Sequence, residues 1–469
     1  MTETIKKSLR DSKTTRWTAL IIVSFTMMCG YFFTDVMAPL KGLLANELTW
    51  SSTEYGFFTS AYGWFNVFLF MLIFGGIILD KMGVRFTGLM ATTLMVIGAG
   101  IKYWAVSTNS LDGETWKILF WDFKAQVWMA GLGFAIFGVG IEIAGITVSK
   151  TIVKWFKGKE MALAMGLEMA MARIGTGLAI AVSLPFATKM GEISAPILFG
   201  LILLCIGLIA FAAYTFQDKK LDKESSLAND ANEQSSDEDK FKISDIVRIF
   251  TNKGWWYIAL LCVLFYSAVF PFLKYATDLM VNKFGVSEGL AGLIPSILPF
   301  GTILLTPFFG NMYDRKGKGA SIMILGATML IVIHGLFSVP FLNFWGVAIL
   351  LVLALGVAFS LVPSAMWPSV PKIIPEKQLG TAFSMIFWVQ NWGLMGVPLL
   401  IGWVLDKYCI TGTTEIIKDG ITTTKELYDY TLPMLIFMAF GVLALFFAVL
   451  LKREDKKKGY GLELPNIQK

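Results

Sequence analysis

The sequence predicts an all-α membrane protein of twelve transmembrane helices in two pseudo-symmetric six-helix bundles, and three observations carry that prediction. Of the 469 residues, 55% are hydrophobic and 16% charged, with a mean hydropathy of +0.65. That is too little charge to cover a water-soluble chain of this length, so lipid must solvate much of the surface. Apolar runs of about 20 residues, the length a helix needs to cross hydrocarbon, recur throughout. Finally, Gly76-Ile-Ile-Leu-Asp80-Lys81-Met-Gly83-Val-Arg85 returns 234 positions later as Gly310-Asn-Met-Tyr-Asp314-Arg315-Lys-Gly317-Lys318. A signature repeated half a chain apart, each time where an apolar run meets a basic loop, marks two equivalent halves.

The expected spans lie near residues 17–43, 56–79, 86–106, 125–148, 160–188 and 194–216, then 254–281, 288–312, 319–340, 343–366, 378–405 and 431–452. The domains follow: a first bundle over 1–216, a polar linker over 217–253, and a second bundle over 254–469. The linker holds DKKLDKESSLANDANEQSSDEDK, which has no apolar periodicity and cannot bury a core. Its tail KISDIVRIF reads as an amphipathic segment lying on the membrane surface. Most of the 40 Lys and Arg fall on alternate loops and both termini. By the positive-inside rule those segments face the cytoplasm, so both termini are expected there in a multi-pass protein. The basic N-terminus has no small-residue cleavage site and reads as a retained signal-anchor.

The halves align beyond the opening signature. Lys159-Glu160 before span 5 corresponds to Lys377-Gln378 before span 11, which sets Arg173-Ile-Gly175 against Asn391-Trp-Gly393. The repeat has diverged where a substrate would be read. Glycines crowd span 4 at Gly131, Gly133, Gly138, Gly140 and Gly145, a pattern that lets helices approach closely in lipid. No strand precedes them and no Lys-Ser/Thr follows, so a nucleotide loop is excluded.

The repeated signature, Gly76, Asp80, Gly83 and Arg85 with Asp314 and Arg315 in the second copy, reads as a gate. Each Asp ends a helix and is placed to accept from the N-terminus of a neighbouring one, while the bases anchor at headgroups. Such a cluster must form in one state and break in the other.

Ionisable residues inside spans are costly and therefore functional candidates. Asp35, Glu142, Glu168 and Arg173 stand out. Counting about 1.5 Å per residue from the turn joining spans 4 and 5 puts Glu142 roughly 20 Å deep and Arg173 roughly 27 Å deep. Arg173 stays charged and presents a fork suited to carboxylate or phosphate. Glu142 is its complement, an acceptor for an ammonium group or a proton site. A fixed cation beside a fixed anion points to a zwitterionic ligand; the alternative is a structural Glu142–Arg173 salt bridge. Asp35, Glu168 and the only histidine, His334, are candidates for proton coupling, with a packed neutral imidazole the alternative for His334. Tyr31, Tyr62, Trp64, Tyr266, Trp367 and Trp388 are aromatics at cavity depth. Trp367 is favoured because Pro368 follows it in VPSAMWPSVP, read as a broken helix. The four cysteines, Cys29, Cys205, Cys262 and Cys409, are far apart and read as packing residues. No metal, cofactor or nucleic-acid partner is expected, and one histidine supports no enzyme constellation.

Six spans, a linker and six spans is the layout of the major facilitator superfamily. Within it, WFKGKEMALAMGLEMAMARIG (155–175), YSAVFPF (266–272), NKFG (282–285), AMWPSV (365–370), PEKQLGTAF (375–383) and QNWG (390–393) resemble the lysosomal dipeptide transporter branch. TDVMAPL (34–40), YGWFNV (62–67) and GGIILD (75–80) resemble it more loosely. The resemblance implies alternating-access transport of dipeptides, with Glu142 and Arg173 at the positions of the acid and arginine that hold the two ends of the ligand. Tyr62, Tyr266, Trp367 and Asn391 complete the expected site. No Asn-x-Ser/Thr acceptor occurs, so a glycosylated accessory subunit is not expected and a plasma (inner) membrane is favoured over the lysosome. Two other transport readings compete. An organic-anion or phosphate-ester exchanger would need a second cation, for which Lys274 is the spare candidate. A multidrug exporter would need a mostly apolar cavity.

Overall fold

The computed structural model describes residues 9–118, 120–156, 159–228, 243–375, 378–418 and 421–467. Helix α1 (Lys13–Asp35) starts at Ser12, whose side chain accepts from the Thr15 N–H. It runs through a 3-10 turn at Ala38–Leu40 into α2 (Lys41–Glu47), and together they make the first span. The second span opens at α3 (Ser52–Ser60) with a capping box between Ser51 and Glu54. It is then interrupted by a 3-10 turn at Ala61–Gly63, by α4 (Trp64–Phe68) and by Phe70 at φ 53°. Helix α5 (Met71–Ser107) carries the rest of span 2 and all of span 3, divided at Gly83, whose φ of 75° suits glycine. Helices α6 (Ala125–Phe156), α7 (Met161–Met190) and α8 (Ala195–Ala228) follow.

After α9 (Ile243–Phe250), span 7 is split into α10 (Lys253–Ser267) and α11 (Phe270–Asn282). Span 8 is α12 (Glu288–Ala291) with α13 (Leu293–Lys316). The last four spans are α14 (Gly319–Ser338), α15 (Trp345–Ile373), α16 (Leu379–Tyr408) and α17 (Thr431–Lys458). Among the described residues eleven helical segments are long and apolar enough to cross a membrane. Dividing Met71–Ser107 at Gly83, with α3 and α4 joined to its first part, gives the twelfth.

The structure departs from the sequence expectation in three places. Two antiparallel hairpins interrupt the all-α pattern on one face: β1 (Thr115–Ile118) with β2 (Trp121–Lys124), and β3 (Ile410–Lys418) with β4 (Ile421–Tyr428). Both follow helices that lead away from the basic loops, and β3–β4 is rich in β-branched Thr and Ile. Helix α8 runs through 217–228, expected as unstructured linker, because Asp218 and Asp222 on it pair with Lys154 and Arg85. The remaining linker, 229–242, lies outside the described residues. Lastly, α15 continues through Pro363, Pro368 and Pro371 instead of breaking. Serine hydroxyls along it return to carbonyls one turn back (Ser360 to Gly356, Ser364 to Ser360, Ser369 to Ala365), and not to the Phe359, Ser364 and Trp367 carbonyls that the three prolines leave without a helical donor.

The glycines of span 4 do what small residues do in lipid. A Cβ on Gly133 would stand 2.6 Å from the Gly98 carbonyl and one on Gly138 2.3 Å from that of Tyr62, so α6 lies directly on span 3 and on the break in span 2. The aligned glycines of the repeat match in use as well: Gly175 seats α7 on the backbone of Met28 in span 1, and Gly393 seats α16 on Ser267 and Val263 in span 7. On the hairpin face the two halves are pressed together, with Gly402 of α16 against the Ser52 carbonyl and Gly292 against that of Ile180. On the basic face Gly76, Gly166, Gly310 and Gly380 look onto open space. The molecule is closed at the hairpins and parted at the basic loops. Gly133→Val should lower stability in detergent by roughly 1–3 kcal/mol through overpacking against α5. Thermal unfolding should show that loss, whereas Gly166→Ala should leave the midpoint unchanged.

Candidate functional site

The break in span 2 places Tyr62 against α6, and its hydroxyl donates to Glu142 Oε1 at 2.7 Å. Asn391 of α16 lies within hydrogen-bonding reach of Glu142. It is fully buried, its Nδ2 donates to the Phe387 carbonyl at 2.9 Å, and its Oδ1 has no partner. Arg173 of α7 reaches across to the second half, with its guanidinium 5.1 Å from the centre of the Phe359 ring and 5.8 Å from that of Phe270. Among the described residues no carboxylate pairs with it. Tyr31 lies within electrostatic reach of both Arg173 and Glu142, and both charged residues are half-buried. They therefore face the seam between the halves and are not joined in the salt bridge that the sequence left open.

The aromatic wall is built by the second half. Trp367 Nε1 donates to the Tyr266 hydroxyl at 3.1 Å, and the indole packs 5.0 Å from Phe387. Tyr266 in turn packs on Phe270 and Phe359, the two rings beneath Arg173. Trp388 instead stacks on Phe70 and donates to the Val67 carbonyl, closing the seam between α16 and span 2. Trp64 packs within the first half, against Phe57 and Trp128.

The proton-coupling candidates part company. Glu168 is half-buried on α7 and within electrostatic reach of Arg173. Asp35 is bound at both oxygens: Thr176 donates to Oδ2 at 2.8 Å and Lys274 of α11 to Oδ1 at 2.6 Å. Lys274 is therefore not the spare cation expected from sequence. His334 stands away from the seam, fully buried, with Nε2 against the Ala268 carbonyl at 2.9 Å and Phe272 and Phe437 against its ring. Its surroundings are those of a packed imidazole.

Sequence reasoning overlooked the charges that close the hairpin face. Lys41 pairs with Asp278 at 2.9 Å, both nearly buried, and Tyr430 also donates to that carboxylate. Asp406 at the end of α16 accepts the Ser52 and Thr53 N–H groups at the start of α3, a carboxylate on a helix N-terminus. Lys41–Asp278, Asp406 with the Ser52 and Thr53 N–H groups, and Asp35–Lys274 all join the first half to the second. It also overlooked Lys102 of α5, fully buried, although the rule for intramembrane charges would have flagged it in the expected span 86–106.

On the basic face the repeated signature is disengaged between halves. Asp80 accepts from Lys150 at 2.6 Å, both exposed, and not from a helix N-terminus. Arg85 reaches Asp222 at 2.7 Å and Asp218 at 3.5 Å, which ties it to α8. Asp314 is held by the C-terminal tail, through Asn466 Nδ2 at 2.8 Å and the Ile467 N–H at 3.0 Å. Arg315 is exposed, and Gly317 takes φ 68° as Gly83 takes 75°. Glu160, which precedes α7, is held below the usual carboxylate range by its backbone hydrogen bond and by Arg16, whose Nη2 donates to both oxygens at 2.9 and 3.1 Å. Among the described residues no group of three or more His, Cys, Asp and Glu is placed to hold a metal.

Two halves locked on one face and open on the other, with unlike charges at the seam, define a carrier-type membrane transporter. The chain belongs to the Major Facilitator Superfamily, whose family profile matches residues 20–280 and 275–464. It is 27% identical over 402 residues to the human lysosomal dipeptide transporter MFSD1, covering 84% of this chain and 80% of that one. The mouse protein is 29% identical over 402 residues, covering 82% and 80%. Among solved structures, a bacterial homologue of the human lysosomal transporter Spinster shares the fold with a TM-score of 0.69, at 14% identity over 95% of this chain and 98% of that one. Breaking a buried pair from one side costs about 3–5 kcal/mol. Asp278→Asn should therefore open the hairpin face, read as at least tenfold faster hydrogen exchange in residues 38–44.

Proposed function

We propose that this transporter carries dipeptides by alternating access, holding the ligand's ammonium at Glu142 and its carboxylate at Arg173. The observation that carries this reading is the state of Arg173. A guanidinium deep in a membrane protein normally meets a carboxylate, yet this one rests on Phe359 and Phe270 while Glu142 is satisfied by neutral Tyr62. Each charge is left available to a ligand with the opposite one. Cation–π contact contributes about 0.5–2 kcal/mol, enough to park the side chain and little enough to release it to a carboxylate. Asn391, with a free acceptor beside Glu142, would take a second ammonium hydrogen, and the Tyr266–Trp367 wall would face the ligand's side chains. The relatives whose names specify dipeptides support the same class.

An organic-anion exchanger is disfavoured because Lys274, the second cation it would need, is bound to Asp35. Glu168 is where a co-transported proton would sit. The basic face is read as cytosolic, with both termini there, because Lys and Arg concentrate on its loops. The lysosomal relatives weigh against the plasma-membrane expectation. The gate role of Asp80 and Asp314 rests on the repeat, each carboxylate being placed to meet the opposite half when the basic face closes.

A free dipeptide at a hundredfold excess over its dissociation constant should stabilise the purified protein by about 2.7 kcal/mol, seen as a raised thermal midpoint. Arg173→Ala and N-acetylation of the peptide should each abolish the shift; equal shifts from free and acetylated peptides would remove Glu142 from its role. In liposomes, uptake that responds to an imposed pH gradient in the native protein but not in Glu168→Gln would assign Glu168 the proton. Equal responses would leave it a packing residue.

A further inference from the structure

Among the described residues Lys102 is a fully buried charge that no contact so far accounts for. Its Nζ lies 4.3 Å from the ring centre of Phe134, 4.4 Å from that of Phe33 and 5.2 Å from that of Phe58. Its hydrogen bond is a 3.5 Å contact with the Phe33 carbonyl, at the limit of useful length. An ammonium has three protons to place, and among the described residues no carboxylate pairs with this one. The carboxylate whose charge reaches it is Asp35, two residues beyond Phe33 on the same helix. Asp35 is meanwhile occupied by Lys274, and Lys274 also lies over Phe134, 5.9 Å from its centre. Two lysines thus flank one ring and one acid. Lys274 comes from the second half of the molecule, Lys102 from the first.

That difference decides what happens when the hairpin face opens. The second half must then withdraw, and α11 takes Lys274 with it. Asp35, 8% exposed with the face closed, would then keep only Thr176 as a partner, which opposes opening. Lys102 cannot leave, because α5 and Asp35's helix belong to the same half. We propose that Lys102 is the alternate counter-ion of Asp35: Lys274 holds the acid while the hairpin face is closed, and Lys102 takes it when that face opens. The aromatic cage of Phe33, Phe58 and Phe134 is the waiting position of the second cation. The exchange keeps one salt bridge in both states, so opening does not strand a charge. Lys102 is a positioning residue that touches no ligand, and the idea stands whether or not the cargo is a dipeptide.

The test needs no substrate. Ala38 lies in the 3-10 turn that packs against α11 and is 3% exposed, so Ala38→Cys, in a protein whose four native cysteines are replaced, reports hairpin-face opening by its rate of maleimide labelling. With Asp35 present, Lys102→Gln should slow labelling at least tenfold. With Asp35→Asn, the same substitution should change the rate less than twofold. Lys102→Arg should label like the parent, and Lys102→Met, which fills the aromatic cage without charge, should repeat the tenfold loss with an unchanged gel-filtration profile. A lysine that merely packs would show the same effect in both backgrounds. Equal effects, or no slowing with Asp35 present, overturn the proposal.

Discussion

A charge held inside a membrane must find a partner, and in this chain that constraint decides which parts touch. Lys41–Asp278 and Asp35–Lys274 each take one member from either half, and Asp406 reaches from α16 to the first turn of α3. All three lie on the hairpin face, where glycines let the backbones meet. Such pairs add little stability over an apolar contact of the same shape, but losing one partner is costly. They act as a latch more than as glue. Basic-face pairs such as Lys150–Asp80 and Arg16–Glu160 stay within one half and leave the seam there unfastened.

The pseudo-symmetry clarifies why the middle of the molecule is different. Where both halves do the same job, residues and conformation repeat: Gly83 and Gly317 share positive φ, and Gly175 and Gly393 seat equivalent helices. At the seam the repeat gives way, with Arg173 in one half and Asn391 in the other. The first half brings charge, through Glu142 and Arg173, and the second brings the aromatic rings on which Arg173 lies. In the proposed role a ligand engages both halves at once, which is what would couple it to rocking.

Much of this was legible in the residues. Hydropathy and the repeated Gly-x-x-x-Asp signature pointed to the class of fold, and depth counting from the basic turn put Glu142 and Arg173 near the bilayer centre before any contact was known. The misreadings have local causes. VPSAMWPSVP looked like a broken helix because each of its prolines removes a helix donor, yet α15 continues through all three. Residues 217–228 looked like linker because a polar helix gains its stability from Lys154 and Arg85, which lie far away in sequence. For His334 the sequence offered both a proton carrier and a packed neutral imidazole, and only the structure brings Phe272 and Phe437 against its ring.

By itself the sequence determined that the chain lives in lipid, that it is built twice, and which ionisable groups must be accounted for, because each follows from the composition and spacing of residues along one helix. Only the tertiary structure decided who partners whom. Lys274 went to Asp35, Glu142 to Tyr62, and Arg173 to a pair of rings. Those choices depend on helices separated by 80 residues or more meeting at one depth and one angle, and no periodicity within a single span encodes that.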